Sequence, residues 1–326
     1  MDHQPATSRR QARRRPLSVL AMLAAAVAVL ALAAAGVQPP AAGAPAYTFN
    51  WFPEPVGEEA DFTGVDCFDG NQAWVTDGGG NAYLFDGTNW TRQSTGFAGR
   101  LNDVAAAGPS RAWVAGASGT IRMYDGDGWS ANNSGTLSDL MSVDAVSPTQ
   151  AWAVGNGARL CTYTGAGSNW NSAILGPPIN DLLSISALSA DRIWAVGRNG
   201  ATWHRDALAW SPQHSGTDRD LWSVYALNGN HVWAVGDGGT VRFFDGTSWQ
   251  EQDSGTTRDL KGVYAAGRDR VWAVGDGGTV RFFNGTSWQG QAVSDLQDLA
   301  AVGGAGGDLV FAGGSRHLFR GDEARI

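Results

Sequence analysis

The sequence predicts an all-β protein made of seven similar four-stranded units arranged in a ring. Three observations predict it. The stretch WAVGDGGTVRFFDGTSW at residues 233–249 returns 39 residues later as WAVGDGGTVRFFNGTSW at 272–288, with one residue changed. Two series of tryptophans recur in phase with this repeat. The 326 residues include 45 glycines and 15 tryptophans but only 17% charged residues, which suits a turn-rich β protein better than a helical one.

The two tryptophan series give the number of units. The first series ends in a phenylalanine and consists of Trp74, Trp113, Trp152, Trp194, Trp233, Trp272 and Phe311. The second series consists of Trp90, Trp129, Trp170, Trp210, Trp249 and Trp288. One step of 39 residues before Trp90 falls on Trp51, and one step after Trp288 falls just past Ile326. The N-terminal segment is therefore predicted to supply the last strand of the seventh unit.

Each unit is expected to contain four short antiparallel strands. In the sixth unit, LKGVYAA predicts the inner strand and RVWAVG predicts the second strand. The DGG that follows is a turn signal, because glycine adopts a positive φ without steric cost. TVRFF predicts the third strand, NG predicts a second hairpin, and TSWQGQ predicts the outer strand.

Seven such units closed into a ring describe a seven-bladed β-propeller whose last blade contains both ends of the chain. Closure removes the exposed sheet edges that otherwise invite aggregation. An open solenoid would need atypical polar units at both ends, and the repeats show none. The propeller is predicted to occupy residues 47–326.

The repeat W-x-V-G-x-x-G-T-x-R-x-x-x-G-x-x-W resembles those of the photosystem II assembly/stability factor family and of bacterial BNR (Asp-box) propellers. The resemblance covers residues 47–326 and implies the propeller fold. The Asp-box reads S/T-x-D-x-G-x-T-W, whereas the hairpin here is one residue shorter, as in FDGTSW at 244–249. The Gly-His and Trp-Asp pairs of WD40 repeats and the Gly-Gly pattern of kelch repeats are absent from the sequence.

The first 46 residues have the pattern of an export signal. Five arginines at positions 9 to 15 precede an apolar run from Leu17 to Ala35, and a Pro/Ala/Gly spacer follows with a small-x-small site at Ala44–Ala46. The run is longer than a usual signal core and could just span a bilayer. We expect an exported protein in which residues 1–46 are either cleaved or kept as a membrane anchor; a membrane contact is expected only in the second case.

Charge and cysteine content narrow the function classes. Residues 47–326 carry 18 basic and 30 acidic residues, a formal net charge of −12, which favours a cationic partner and argues against nucleic acid. Cys67 and Cys161 fall on different blades, so no disulfide is expected. We expect no cofactor and no metal, and a monomeric domain.

An aspartate precedes the inner strand in six of the seven units, where the second unit has Arg100. These residues are Asp61, Asp139, Asp181, Asp220, Asp259 and Asp298. One interpretation is that each carboxylate accepts backbone N–H bonds where the chain turns into the strand. The other is an acidic ring around one mouth of the central channel, which would act as an electrostatic funnel. Such a ring is too wide to hold one metal ion.

Positions that vary between units are the candidates for ligand binding. In the fifth and sixth units the inner strands carry Trp222, Tyr225, Lys261 and Tyr264. Aromatic rings beside a cation could stack on a sugar or hold a peptide. The alternative is that these side chains merely fill the channel.

A glycosidase is the enzymatic alternative to these binding functions. Asp66, Asp103 and Asp144 are inner-strand carboxyls outside the repeat pattern and could form the pair that glycoside hydrolysis needs. They are predicted to lie away from the aromatic residues of the fifth and sixth units, and the Arg-Ile-Pro motif of sialidases is missing. The sequence therefore favours an exported, non-catalytic module that binds a protein or a glycan at the channel mouth. A BNR-type glycosidase and a lectin are the alternatives.

Overall fold

The computed structural model describes residues 48–57, 59–165, 167–176, 180–207, 209–294 and 296–324. The described chain forms seven sheets, each of four antiparallel strands, so the predicted seven-bladed propeller is confirmed. The expectations for residues 1–46 fall outside the described residues. Among the described residues, no helix is long and apolar enough to cross a membrane.

The strands follow the chain from the innermost to the outermost position of each blade. Blades one to three consist of β2 (Phe62–Asp69), β3 (Gln72–Asp77), β4 (Asn81–Phe85), β5 (Trp90–Ser94), β6 (Leu101–Gly108), β7 (Arg111–Gly116), β8 (Ile121–Tyr124), β9 (Trp129–Asn132), β10 (Leu140–Ser147), β11 (Gln150–Gly155), β12 (Arg159–Tyr163) and β13 (Asn171–Ile174). Blades four to six consist of β14 (Leu182–Ser189), β15 (Arg192–Gly197), β16 (Thr202–Asp206), β17 (Ala209–Pro212), β18 (Leu221–Asn228), β19 (His231–Gly236), β20 (Thr240–Phe244), β21 (Trp249–Asp253), β22 (Leu260–Gly267), β23 (Arg270–Gly275), β24 (Thr279–Phe283) and β25 (Trp288–Gln291). Blade seven consists of β26 (Leu299–Ala305), β27 (Leu309–Gly314), β28 (Leu318–Ala324) and β1 (Thr48–Pro53).

The first and the last of the described strands close the ring in blade seven. Strand β1 pairs antiparallel with β28, and Trp51 lies opposite Gly321. The Trp51 indole N–H donates to Oε1 of Gln291 in blade six over 3.0 Å. The shared last blade predicted from the phase of Trp51 is therefore confirmed, and the strand also contacts the neighbouring blade.

The second strand of each blade carries the core. Its apolar residues form a continuous run, because the neighbouring blades cover the sheet on both faces. The six tryptophans of the first series are 0–3% exposed, and Phe311 is fully buried in the equivalent place. One cluster joins Trp233 and Val235 of blade five to Val263 and Trp288 of blade six. The tryptophans thus pack as wedges between neighbouring blades.

The turn between the second and third strands is tighter than a plain hairpin. In blade five, Asp237–Gly239 forms one 3₁₀ turn, with φ of +60° at Gly238 and +74° at Gly239. A Cβ added to Gly239 would lie 2.0 Å from the carbonyl oxygen of Thr256. The last glycine of the DGG signal is therefore required, because the turn packs directly against the loop that leads into blade six.

Candidate functional site

A cavity of about 440 Å³ lies at the end of the central channel where the inner strands begin. Every blade contributes to its wall. Immediately after the buried apolar residue at the start of each inner strand comes one lining residue, and these seven are Thr63, Asn102, Met141, Leu183, Trp222, Lys261 and Ala300. The variable positions of the repeat therefore meet at one place. This cavity is called the channel mouth below.

The wall of the channel mouth has two unlike halves. Blades three, four and five present the apolar side chains of Met141, Leu183 and Trp222. Blades six, seven and one present carboxylates, and these are Asp276, Asp298 and Asp61. The first three residues are named the apolar arc here, and the last three the acidic arc. The three residues of the apolar arc occupy the same register of their inner strands, and the ring geometry places them opposite the acidic arc.

Trp222 is held between charged groups. Its ring centroid lies 4.0 Å from Nζ of Lys261 and 5.6 Å from Cζ of Arg198, so cations from both neighbouring blades contact it. Its indole N–H donates to Oδ1 of Asp237 over 2.5 Å. The side chain is half-buried and lines the channel mouth. Trp222 is therefore presented to the cavity in a fixed orientation.

Lys261 is the partner that the sequence placed beside Trp222. Its Nζ lies 3.2 Å from Oδ2 of Asp259 and 3.9 Å from Oδ1 of Asp237. The pKa of Asp259 is lowered, chiefly because its carboxylate accepts the N–H of Gly238 and also because Lys261 is adjacent. The ammonium group is thus charge-compensated and positioned over the indole ring.

The two predicted tyrosines form a separate pair deeper in the ring, and neither lines the channel mouth. Their ring centroids are 5.1 Å apart in an edge-to-face arrangement. Tyr264 is only 4% exposed, donates its hydroxyl to the carbonyl of Gly306 over 3.0 Å, and stacks on Trp272. Burial raises the pKa of both Tyr225 and Tyr264. The structure therefore divides the four predicted residues into an accessible pair, Trp222 and Lys261, and a packed pair.

Five of the six aspartates before the inner strands bind backbone. Each accepts, through Oδ1, an N–H from the turn of the preceding blade over 2.7–2.9 Å. The pairs are Asp139 with Ser118, Asp181 with Gly157, Asp220 with Asn199, Asp259 with Gly238 and Asp298 with Gly277. This arrangement fits the turn-capping interpretation, except that the capped turn belongs to the previous blade.

Blade two has Arg100 where the other blades have an aspartate, and the turn that such an aspartate would cap is the turn of blade one. The turn of blade one is capped from within by Asp77, whose Oδ1 accepts the N–H groups of Gly79 and Asn81 over 2.8 and 2.9 Å. The hydroxyl of Tyr83 donates to the other oxygen over 2.9 Å, and Asp77 is 3% exposed. Sequence reasoning missed this role, although Asp77 stands where the other six units have glycine, which was a visible signal.

The second oxygens of the capping aspartates complete an ion network on one side of the mouth. Arg198 contacts Oδ2 of both Asp181 and Asp220, over 3.1 and 2.7 Å. Lys261 compensates Asp259 in the same way. Beside this network, burial raises the pKa of Asp276; Lys261 opposes the rise, and the carboxylates of Asp298, Asp259 and Asp237 add to it. Ion pairs therefore compensate Asp181, Asp220 and Asp259, whereas Asp276 makes none among the described residues.

The three carboxyls considered for glycoside hydrolysis connect blades to one another. Oδ2 of Asp66, Asp103 and Asp144 accepts an N–H from the inner strand of the next blade over 2.7, 3.0 and 2.7 Å. Their Oδ1 atoms accept the N–H of the following residue over 2.9, 2.9 and 2.7 Å. Serines continue the series, since the N–H groups of Val224, Ala226 and Val263 donate to Ser184, Ser186 and Ser223. Side-chain oxygens of one blade thus accept hydrogen bonds from backbone N–H groups of the next inner strand, which has no strand beside it on that edge.

Desolvation raises the pKa of these three carboxyls. The pKa rises to about 8 for Asp66, about 7 for Asp103 and about 6 for Asp144, with burial as the largest cause in each case. For Asp66 the neighbouring carboxyls Asp144 and Asp103 add to the rise. The channel interior therefore holds a group of acids that titrate near neutral pH.

No group of three or more histidine, cysteine, aspartate or glutamate side chains within the described ranges could hold a metal ion. His204 instead stacks on Trp194 with ring centroids 4.4 Å apart. Cys67 and Cys161 are free thiols on β2 and β12.

Solved propellers are similar to this chain in fold. YCF48 bound to a D1 peptide aligns with a TM-score of 0.69 at 17% identity, over 85% of this chain and 95% of that chain. YCF48 from Cyanidioschyzon merolae aligns with a TM-score of 0.68 at 18% identity, over 83% and 98%. The WD40 β-propeller domain of Doa1 aligns with a TM-score of 0.71 at 11% identity, over 86% and 97%. No family model and no curated protein matches the sequence.

The likeness to YCF48, a photosystem II assembly factor, agrees with the resemblance noted in the repeats. At these identities the comparisons show the fold and not the ligand. The chain is a seven-bladed β-propeller similar in structure to YCF48 and to WD40 propellers.

Proposed function

We propose that this protein is an exported, monomeric binding module that holds a segment of a partner protein at the channel mouth. The observation that carries the proposal is that the seven variable residues of the repeat line one cavity, with Trp222 held at its edge by Lys261 and Arg198. Half-buried aromatic side chains that line a pocket are common anchors in protein interfaces. The volume of about 440 Å³ lies in the range of ligand pockets.

Two further observations support a protein partner. YCF48, which has the same fold, is known in complex with a D1 peptide, so a propeller of this shape can hold a peptide. Export is supported by the arginine-rich start and the apolar run from Leu17 to Ala35.

The geometry supports a glycosidase less well. The carboxylates of Asp66, Asp103 and Asp144 each accept backbone N–H bonds on both oxygens, and this includes Asp103, which lines the channel mouth together with Trp222. A carboxyl that binds the next blade is constrained by the fold instead of by a substrate. A lectin remains the second candidate, because the Trp222 ring could stack on a sugar.

Selection of random peptides displayed on phage, with the immobilised full-length protein as bait, tests the proposal. We expect selected peptides to lose at least about tenfold in affinity with Trp222→Leu, since buried aromatic anchors contribute 2 kcal/mol or more. Leucine fits the fold at this register, because blade four has Leu183 there. The control is Phe52→Leu, whose side chain is 52% exposed on the outer strand β1.

The proposal fails if selection returns no peptide, or if the selected peptides bind Trp222→Leu as well as they bind the unchanged protein. A parallel glycan array with the same two variants decides the alternative. Glycan binding that is lost with Trp222→Leu, without peptide binding, would establish the lectin in place of the peptide module.

A further inference from the structure

The two halves of the channel mouth differ in how their charges are compensated. In blades four to six, Arg198 and Lys261 contact the carboxylates of Asp181, Asp220 and Asp259. Within the described part of the chain, no lysine or arginine lies within ion-pair distance of the acidic arc, Asp61, Asp276 and Asp298. Arg100 of blade two also lines the channel mouth, where its Nε donates to Oδ1 of Asn102 over 3.0 Å. Among the described residues, the carboxylates of the acidic arc therefore make no ion pair, whereas those of Asp181, Asp220 and Asp259 do.

The acidic arc is accessible from the cavity. Asp61 and Asp298 are exposed, and Asp276 is half-buried. All three line the channel mouth. Oδ1 of Asp298 accepts the N–H of Gly277 over 2.7 Å. A cation entering here would therefore meet carboxylates from three successive blades.

The apolar arc faces this acidic arc across the same cavity. Leu183 is 5% exposed, and Met141 and Trp222 are half-buried, so together they form a firm hydrophobic surface. A ligand that fills the cavity must therefore present an apolar group to one side and a positive charge to the other. An acidic ligand would be repelled, because like charges brought together at an interface cost several kcal/mol.

We infer that the partner segment inserts an apolar side chain next to a lysine or arginine, with the apolar side chain on Met141, Leu183 and Trp222 and the cation on Asp61, Asp276 and Asp298. The inference rests on the proposed function and specifies the chemistry of its ligand. It also agrees with the net charge of −12 over residues 47–326, which attracts cationic partners at long range.

Two heptapeptides test the inference by fluorescence anisotropy with the full-length protein. Both contain leucine at the centre and glycines elsewhere, and they differ only in the residue after the leucine, which is arginine in one and glutamate in the other. We expect the arginine peptide to bind at least about tenfold more tightly than the glutamate peptide, and this preference to shrink as salt is raised.

Variants assign the preference to the two arcs. The double substitution Asp61→Asn with Asp276→Asn should remove most of the discrimination between the peptides, and Trp222→Leu should weaken the arginine peptide without changing the effect of salt. Asparagine is compatible with the turn, since Asn156 has the equivalent place in blade three. The matched control is Asp245→Asn on an outer hairpin, where Asn284 of blade six makes the same two backbone bonds.

The outcomes separate this inference from the proposed function. Equal or tighter binding of the glutamate peptide overturns the inference, and so does a preference that survives the double substitution in a protein with an unchanged melting temperature. If neither peptide binds at millimolar concentration, the inference also fails. The phage selection described above decides the proposed function by itself, because it makes no assumption about the charge of the ligand.

Discussion

The carboxylate of Asp66 in blade one accepts the backbone N–H of Ala106 in blade two over 2.7 Å. The inner strand of a propeller blade is a sheet edge, and unpaired edge N–H groups are costly when buried. Asp66 removes this cost for one strand, and it does so with a carboxyl whose pKa is raised by burial. The stability of the folded state is therefore expected to depend on the protonation of Asp66.

Acidification from pH 8 to pH 5 should stabilise this protein. The raised folded-state pKa values of about 8, 7 and 6 for Asp66, Asp103 and Asp144 mean that the folded state binds more protons than the unfolded state in this window. The stability that these carboxyls contribute when protonated is fully present below the unfolded-state pKa. It is lost as the pH rises through the folded-state pKa values. One pKa unit corresponds to about 1.4 kcal/mol. Urea unfolding at several pH values measures the slope.

The substitution Asp66→Asn should flatten that pH dependence, because an amide can still accept one of the backbone bonds and does not ionise. Asp245→Asn, on an exposed hairpin, should leave the slope unchanged. A slope of opposite sign, or one that is the same in Asp66→Asn, would show that these carboxyls do not control stability near neutral pH.

Removal of the Trp51 ring should weaken the contact between β1 of blade seven and the neighbouring blade six. Trp51 is 6% exposed and donates to Gln291, so Trp51→Ala is expected to cost about 3–5 kcal/mol, the usual range for a buried tryptophan. Phe52→Ala on the same strand should change stability by less than about 0.5 kcal/mol, since that side chain is 52% exposed. Denaturant unfolding measures both. Equal losses of stability in Trp51→Ala and Phe52→Ala would contradict the role of Trp51 in closing the ring.

Asp77→Ala should destabilise blade one more than Asp61→Ala. Asp77 satisfies two backbone N–H groups and the Tyr83 hydroxyl while 3% exposed, and each buried group left unsatisfied costs about 1–3 kcal/mol. Asp61 is exposed, and the loss of its side chain should cost little. Thermal melting of the two variants compares the costs. A smaller loss for Asp77→Ala would mean that the turn is capped in another way.

Trp222 and Tyr264 should respond differently to truncation. Tyr264→Ala is expected to cost about 3–5 kcal/mol of stability, because the ring is buried between Trp272 and the backbone of blade seven. Trp222→Leu should leave the melting temperature nearly unchanged and reduce binding instead. Melting curves and peptide binding, measured on both variants, test this division. Full folding of Tyr264→Ala would return that residue to the candidate site.

The repeat determined most of the fold. The 39-residue spacing and the phase of Trp51 were enough to predict seven blades and the shared last blade, because every blade meets the same packing problem and must use the same wedge. The pairing of Trp222 with Lys261 was also predictable, since their register is equal in adjacent blades.

Only the tertiary structure decided which channel residues are accessible and which are packed. Tyr225 and Tyr264 share a register with Asp66 and Asp144, but that register lies deep in the channel, where neighbouring blades need hydrogen-bond acceptors or bulk. The capping of one blade's turn by the next blade's aspartate arises from a contact 21 residues apart, as between Gly238 and Asp259. The position of the apolar arc opposite the acidic arc arises from contacts across the ring. Sequence periodicity determines what repeats in this protein, whereas closure of the ring determines which of the unrepeated side chains meet.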